Sequence, residues 1–281
     1  LGEGDALRVF NARDGEWRAT IVEKTKRGLR VRVGAFIRPA RSTPDVDLLF
    51  APVKRHATDL IIEKATELGV RRIRPVITQR TIAETVRLDR LQVIAREAAE
   101  QTERFDAPEI LEPLSLQRAL DGWDASRALI YADEAGDEAG APWGGERGRA
   151  LPLLEALQNL HALPPRGEGV GEGGRVERSA ALDAESAPPP TPAPPRDRFA
   201  IPEKFESRAA TQPVGGGGLA LLIGPEGGFA PDERRMLRAL PFVMPVSLGP
   251  RILRAETAVI AALAVLQSTW GDWRGLDPSA E

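Results

Sequence analysis

Two segments near the carboxyl end of the chain hold the residue types best suited to chemistry. The first, residues 224–229, reads Gly-Pro-Glu-Gly-Gly-Phe. It follows an apolar run, Leu219 to Ile223, and precedes Pro231, Asp232 and Glu233. Pro at a first helical position with acids in the first turn marks a helix start. Three glycines let a ligand approach the backbone, and the helix beyond offers free N–H donors. Open α/β sheets bind ligands there, beyond the carboxyl end of a strand. A tight strand-to-helix turn is the other reading. The second segment, 248–258, reads Leu-Gly-Pro-Arg-Ile-Leu-Arg-Ala-Glu-Thr-Ala and also joins a strand to a helix. Arg251, Arg254 and Glu256 sit among apolar residues rather than along a polar face. Read otherwise, Thr257 caps a helix and the arginines lie on its surface. If the two strands are neighbours, the loops share one pocket.

Other chemistries find no support. Cys is absent, which excludes disulfides, thiolate metal sites and cysteine nucleophiles. With His56 and His161 alone, a histidine-built zinc site is nearly excluded. Residues 169–174, Gly-Val-Gly-Glu-Gly-Gly, match the dinucleotide fingerprint by letter. They follow no strand and precede no helix, so the match is accidental. Neither a Gly-Lys-Ser/Thr phosphate loop nor a Gly-x-Ser-x-Gly elbow occurs. No apolar run reaches the length of a membrane span. A cytoplasmic protein fits this composition. The chain begins at Leu1 rather than Met, so a truncated N-terminus is expected.

The elements that must position these loops alternate. Leu48 to Ala51, Val70 to Ile77, Leu129 to Tyr131, Leu219 to Ile223 and Val243 to Leu248 read as strands. Between them, helices are expected after Thr58, after Thr85, over Leu151–Leu163, from Pro231 and over Thr257–Thr269. Such alternation predicts an α/β domain with a mainly parallel sheet over 46–281. The stretch 164–195 breaks the pattern: 13 of its 32 residues are Pro or Gly, and none is aromatic. It buries too little apolar surface to offset its ordering entropy. A disordered insertion is therefore expected there, with outer limits of about 142–217.

Residues 1–41 differ from the rest. They carry ten Lys/Arg against five Asp/Glu, while the other 240 residues carry 28 against 36. Trp17, Ala19 and Ile21, then Leu29, Val31 and Val33, alternate with polar residues, among them Arg18, Arg30 and Arg32. Period two puts the apolar set on one face and the arginines on the other. Asp14-Gly15 is a hairpin signal. A small basic β-module of this kind either meets a polyanion or shows a solvated strand face. Residues 39–45 read as a linker.

Taken together, 221–229 (Leu-Leu-Ile-Gly-Pro-Glu-Gly-Gly-Phe) and 248–258 resemble the SPOUT methyltransferase superfamily. More narrowly, the chain resembles the ribosomal small subunit methyltransferase E family. Residues 63–70 (Glu-Lys-Ala-Thr-Glu-Leu-Gly-Val), 97–101 (Glu-Ala-Ala-Glu-Gln) and the opening from Gly4 to Trp17 are similar to it as well. The resemblance covers most of 1–135 and 218–270. It implies a trefoil-knotted parallel α/β sheet with a small N-terminal PUA-like β-barrel, here truncated, over 1–41. It implies S-adenosylmethionine as methyl donor, no metal, a homodimer, and methylation of uridine N3 in 16S ribosomal RNA of the small ribosomal subunit.

Carried over by residue, the cofactor would lie against Ile223, Gly224, Pro225, Glu226, Gly227, Gly228, Leu248, Gly249, Ile252, Leu253 and Ala258. A uracil N–H is a poor nucleophile, and its proton must leave before or during attack. The charge then spreads onto the uracil oxygens, where a guanidinium can hold it. Arg251, ahead of Arg254, is expected in that role, with Glu256 positioning an arginine or accepting a proton. Arg30, Arg32, Lys54, Arg55 and Arg80 are expected to grip RNA, the alternative for each being an exposed surface charge. A ribose 2′-hydroxyl methyltransferase of the same superfamily is disfavoured. That group shows Ser-Leu-Asn-Val-Ser-like residues where this chain has Leu-Arg-Ala-Glu-Thr. A noncatalytic RNA-binding or assembly protein is disfavoured by the intact glycine loops.

Overall fold

The computed structural model describes residues 1–26, 28–82, 85–162 and 218–274. Two compact units emerge, one containing 1–40 and the other the described residues from 41 onward. In the first, β1 (Ala6–Asn11), β2 (Gly15–Thr25) and β3 (Gly28–Arg38) form one antiparallel sheet in the order β1-β2-β3. Asn11 Oδ1 accepts from the backbone N–H of Arg13 (2.8 Å) and Asp14 (2.7 Å), closing the β1–β2 turn. Gly15 has φ +77°, and a Cβ there would overlap the Arg38 carbonyl, so only glycine fits.

The predicted alternation produces the two faces. Ala19 and Ile21 are buried on one, where Trp17 meets Phe36 edge-on. Arg8 lies opposite Arg18, Thr20 opposite Arg32 and Glu23 opposite Arg30, so these residues share the other face. Glu16, buried on that face, pairs with Arg8 (3.0 Å) and Arg38. Arg30 pairs with Glu23 at 2.8 Å. The described residues 1–40 form three strands and no closed barrel.

In the second unit the order is β4 (Val46–Phe50), α1 (Arg55–Glu67), β5 (Arg72–Ile77), α2 (Leu88–Gln101), β6 (Glu109–Ile110), β7 (Leu114–Ser115), α3 (Leu116–Asp121) and β8 (Ala128–Ala132). A 3₁₀ turn (Pro142–Gly144) leads to β9 (Leu151–Pro152) and α4 (Leu153–Ala162). After residue 217 come β10 (Leu219–Ile223), α5 (Pro231–Ala239), β11 (Val243–Ser247) and α6 (Ala255–Thr269). The sheet order is β6-β5-β4-β10-β8-β11-β9, with β7 also on β5, and every pairing is parallel.

The central strand explains the core. All five residues of β10 are buried, as expected of a strand covered on both faces. Leu219, Leu221 and Ile223 join Phe50, Ile61 and Leu263 under α1, α2, α4 and α6. Ala220 and Leu222 join Tyr131 and Leu237 under α3 and α5. Gly69, at φ +74°, ends α1 as predicted.

Three expectations change. β10 and β11 are not neighbours, because β8 lies between them. The insertion does not begin near 142: residues 142–162 hold a turn, a strand and a helix, with Leu153, Ala156 and Leu157 buried. Their apolar spacing outweighs the local Gly content. The remainder of that expected insertion, 163–217, lies outside the described residues. Finally, α6 begins at Ala255 rather than Thr257, and Arg254 takes the N-cap position. Among the described residues, no helix is long and apolar enough to cross a membrane.

Candidate functional site

Because all strands of the large sheet are parallel, the loops after β4, β5, β8, β10 and β11 leave from one carboxyl edge. The sheet also reverses there. From β4 the chain moves outward to β5, and from β10 it moves toward β11 on the other side. β4 and β10 are adjacent, so the crevice of an open α/β sheet falls between their loops.

The glycines of 224–228 have different reasons to be glycine. A Cβ on Gly224 would meet the Phe229 ring at 2.5 Å. That ring is buried and packs edge-on to Tyr131 at 5.0 Å. Gly228 has φ +65°, and its N–H donates to the Pro225 carbonyl at 2.8 Å. Gly227 has neither constraint: a Cβ would make only ordinary contacts, 3.7 and 3.8 Å, with the Arg80 side chain. Its missing side chain leaves open space at the carboxyl end of the central strand.

Long-range hydrogen bonds hold this loop in place. Arg80 Nη1 donates to the Gly227 carbonyl at 2.8 Å. The Gln79 N–H donates to Glu233 Oε1 at 2.8 Å, and Glu233 Oε2 accepts from the Ala230 N–H at 2.9 Å. Gln79 Nε2 donates to Asp232 Oδ2 at 2.6 Å, which holds that carboxyl below the usual carboxylate range. The β5 loop therefore reaches across β4 and holds both the glycine loop, at Gly227, and the first turn of α5. Gln79 and Glu233 were not legible as site residues, since their partners lie 154 positions apart.

Between the two loop systems, the segment after β8 is pinned to α5. Arg234 and Arg238 converge on buried Asp133 at 3.0 and 2.9 Å, and Arg238 also holds Asp137 at 2.9 Å. Two guanidiniums on two carboxylates leave no excess charge there. The i, i+4 spacing puts Arg234 and Arg238 on one face of α5, whereas Asp133 and Asp137 lie on the irregular segment after β8, and no spacing links the two pairs.

The second loop is more open. Gly249 has φ +110° with nothing near its Cβ position. Arg251 and Arg254 are exposed, Ile252 is 51% exposed, and Leu248, Leu253 and Glu256 are half-buried. Ile223, at the end of β10, and Ala258, on the inner face of α6, are buried in one core cluster. The side chains of Arg251, Arg254 and Glu256 have no hydrogen-bond or ion-pair partner among the described residues. The expectation that Arg251 is held among apolar neighbours is thus corrected, because Pro250 and Ile252 flanking it are exposed too.

A cavity of about 380 Å³ opens at the β4/β10 crevice. It brings Lys54 and Arg55 together with Pro225 and Glu226. Arg251, Arg254 and Glu256 do not line it. Arg30 and Arg32 belong to the β3 face described above.

A parallel α/β sheet with a glycine cradle at its carboxyl edge defines a ligand-binding enzyme fold, and the RNA methyltransferase domain family matches it over 41–149 and 197–267, more than half of the chain. A Rickettsia conorii protein, ribosomal RNA small subunit methyltransferase E, is 26% identical over 94% of this chain and 81% of its own. The Mycobacterium bovis protein of the same name is 31% identical over 59% of this chain and 68% of its own. The Legionella pneumophila protein Lpg2936, solved with bound SAM, superposes with TM-score 0.62 and 26% identity over 97% of this chain and 86% of its own. A Neisseria gonorrhoeae ribosomal RNA small subunit methyltransferase E, solved with S-adenosyl methionine, shares the fold (TM-score 0.64, 21% identity, 97% of this chain and 86% of its own). The chain belongs to the ribosomal RNA small subunit methyltransferase E family.

Proposed function

We propose that the chain methylates N3 of a uridine in 16S ribosomal RNA of the small ribosomal subunit. The observation that carries this reading is the cradle at Gly227, a glycine that the backbone does not require. The loop residues fit S-adenosylmethionine. Backbone groups of Ile223 to Gly228 and of Leu248, Gly249, Ile252 and Leu253 would hold it, with Ala258 below. Bound there, it supplies a methyl group on an electrophilic sulfonium.

The chain's own residues do the rest. Arg251 and Arg254 present free guanidiniums, whose paired N–H donors suit the oxygens of a deprotonated uracil. Arg251 is put ahead of Arg254, which is the N-cap residue of α6 with its side chain free of the cap. Glu256, in the first turn of that helix, is placed to orient an arginine or accept a proton. The Arg80, Gln79 and Glu233 hydrogen bonds keep the glycine loop in one conformation.

Residues 1–41 supply RNA affinity as a partial PUA-like barrel, through Arg30, Arg32 and their neighbours; Lys54, Arg55 and Arg80 add cations in the domain spanning 46–281. The knot expected of the superfamily would form where 248–254 turns back into α6. A homodimer is supported by α6, whose outer residues Ile260, Ala261, Ala264 and Val265 are apolar and half-buried. A cytoplasmic location accords with a ribosomal substrate. The test is transfer of radiolabelled methyl from S-adenosylmethionine to small ribosomal subunits that lack the modification. Label in 16S RNA is expected; intact RNA that stays unlabelled contradicts the reading.

A further inference from the structure

The cavity at the β4/β10 crevice adjoins the glycine loop and has so far been given no occupant of its own. Its walls are largely apolar, with Val53, Ile82, Val86 and Pro225 among them. Its volume of about 380 Å³ lies within the range of small-molecule sites, roughly 300–1,000 Å³. One side of its rim is the start of α1. That helix has Lys54 at the N-cap and Arg55 at its first position, and no acid in its first turn. Cations there oppose the helix dipole, which favours anions. Both side chains are exposed and have no partner among the described residues.

The other cations of the rim are neutralised. Arg90 is held by Asp59 and Arg87 by Asp89. What stays available is two positive side chains and a helix N-terminus on one side. On the other is the exposed carboxylate of Glu226. Apolar walls suit the faces of a base. The free cations suit a phosphodiester and not a sulfonium cation. The Glu226 carboxylate can accept a hydrogen bond from a base imide or amino N–H.

We propose that this cavity holds one nucleotide of the RNA substrate, its base against the apolar walls and its phosphate on Lys54 and Arg55. The assignment rests on reading the chain as an RNA methyltransferase. Since Pro225 and Glu226 also belong to the glycine loop, the cavity places that nucleotide beside the methyl donor rather than on a remote surface.

Ile82 is 75% exposed, so Ile82→Trp fills the mouth without disturbing the core. The full chain is tested with an oligoribonucleotide from 16S RNA carrying 4-thiouridine, by photo-crosslinking and by fluorescence anisotropy, and with S-adenosylmethionine by calorimetry. Crosslinks in wild type should fall on peptides containing Val53 or Ile82. In Ile82→Trp, RNA affinity should drop about ten- to a hundredfold, the effect of one lost base, with cofactor affinity unchanged. Lys54→Glu combined with Arg55→Glu should lower the salt slope of RNA binding by about two phosphates. Crosslinks elsewhere, with wild-type RNA affinity in Ile82→Trp, overturn the proposal. A selective loss of cofactor affinity also overturns it, by giving the cavity to the cofactor. Absence of methyl transfer by wild type, with the crosslinks still in the cavity, would instead count against the proposed reaction and leave the nucleotide site standing.

Discussion

Gly224, Gly227 and Gly228 illustrate how one residue type serves different ends within five positions. Gly224 makes room for Phe229, and Gly228 supplies a left-handed turn, whereas at Gly227 a Cβ would meet only the Arg80 side chain, at ordinary contact distance. Substitution should separate them. Gly224→Val forces a methyl group into the Phe229 ring and should destabilise the domain by about 1–3 kcal/mol in denaturant titrations. Gly227→Val should leave the unfolding midpoint near wild type and abolish S-adenosylmethionine binding by calorimetry. Undiminished affinity in folded Gly227→Val would remove this loop from the cofactor site. Arg251 is the corresponding test of chemistry. Arg251→Lys keeps the charge and loses the planar fork. Removing a donor from a developing anion costs about 10²–10³ in rate, so single-turnover methylation should fall by that factor. Cofactor affinity should stay nearly intact. A mutant with wild-type single-turnover rate and poor cofactor binding would make Arg251 a cofactor ligand instead.

At the scale of elements, the glycine loop is only as ordered as its clamp. Arg80 was expected to grip phosphate, yet one of its N–H donors holds the Gly227 carbonyl. Loss of a charge-assisted hydrogen bond costs about 1.5–3 kcal/mol, or roughly tenfold or more in an equilibrium. Arg80→Met should therefore weaken cofactor binding by about that factor, with partial recovery in Arg80→Lys. A change confined to the salt slope of RNA binding would make Arg80 a phosphate contact and not a support of the loop. The β1–β3 sheet makes a different prediction, about pH. The Arg38 hydrogen bond holds the Glu16 carboxyl below its ordinary range. A lowered carboxylate pKa stabilises the fold above the ordinary value, near 4.3, and loses that contribution as pH falls through the lowered one. Acid unfolding of this sheet should thus begin below about pH 4, and Glu16→Gln should flatten the dependence. An identical acid profile in the mutant would show that the Glu16 pairings carry no net stability.

Across the whole molecule, local patterns were legible and pairings were not. Five consecutive apolar residues announced β10 as a strand covered on both faces, and period two announced the arginine face of β3. No period states which strands adjoin, so β8 between β10 and β11 was hidden, and with it the separation of the two loops. Gln79 and Glu233 were hidden for the same reason, as a contact formed only by folding. The Arg251 to Glu256 segment was legible in sequence but not its exposure, which depends on what packs over it. What the molecule does as a whole rests on which atom of the RNA is methylated. The direct measurement is nucleoside analysis of 16S RNA after reaction with wild-type protein and S-adenosylmethionine. The account predicts one new N3-methyluridine per small subunit, reduced in step with the rate in Arg251→Lys. A ribose 2′-O-methylated nucleoside, or label on a base other than uracil, would contradict it.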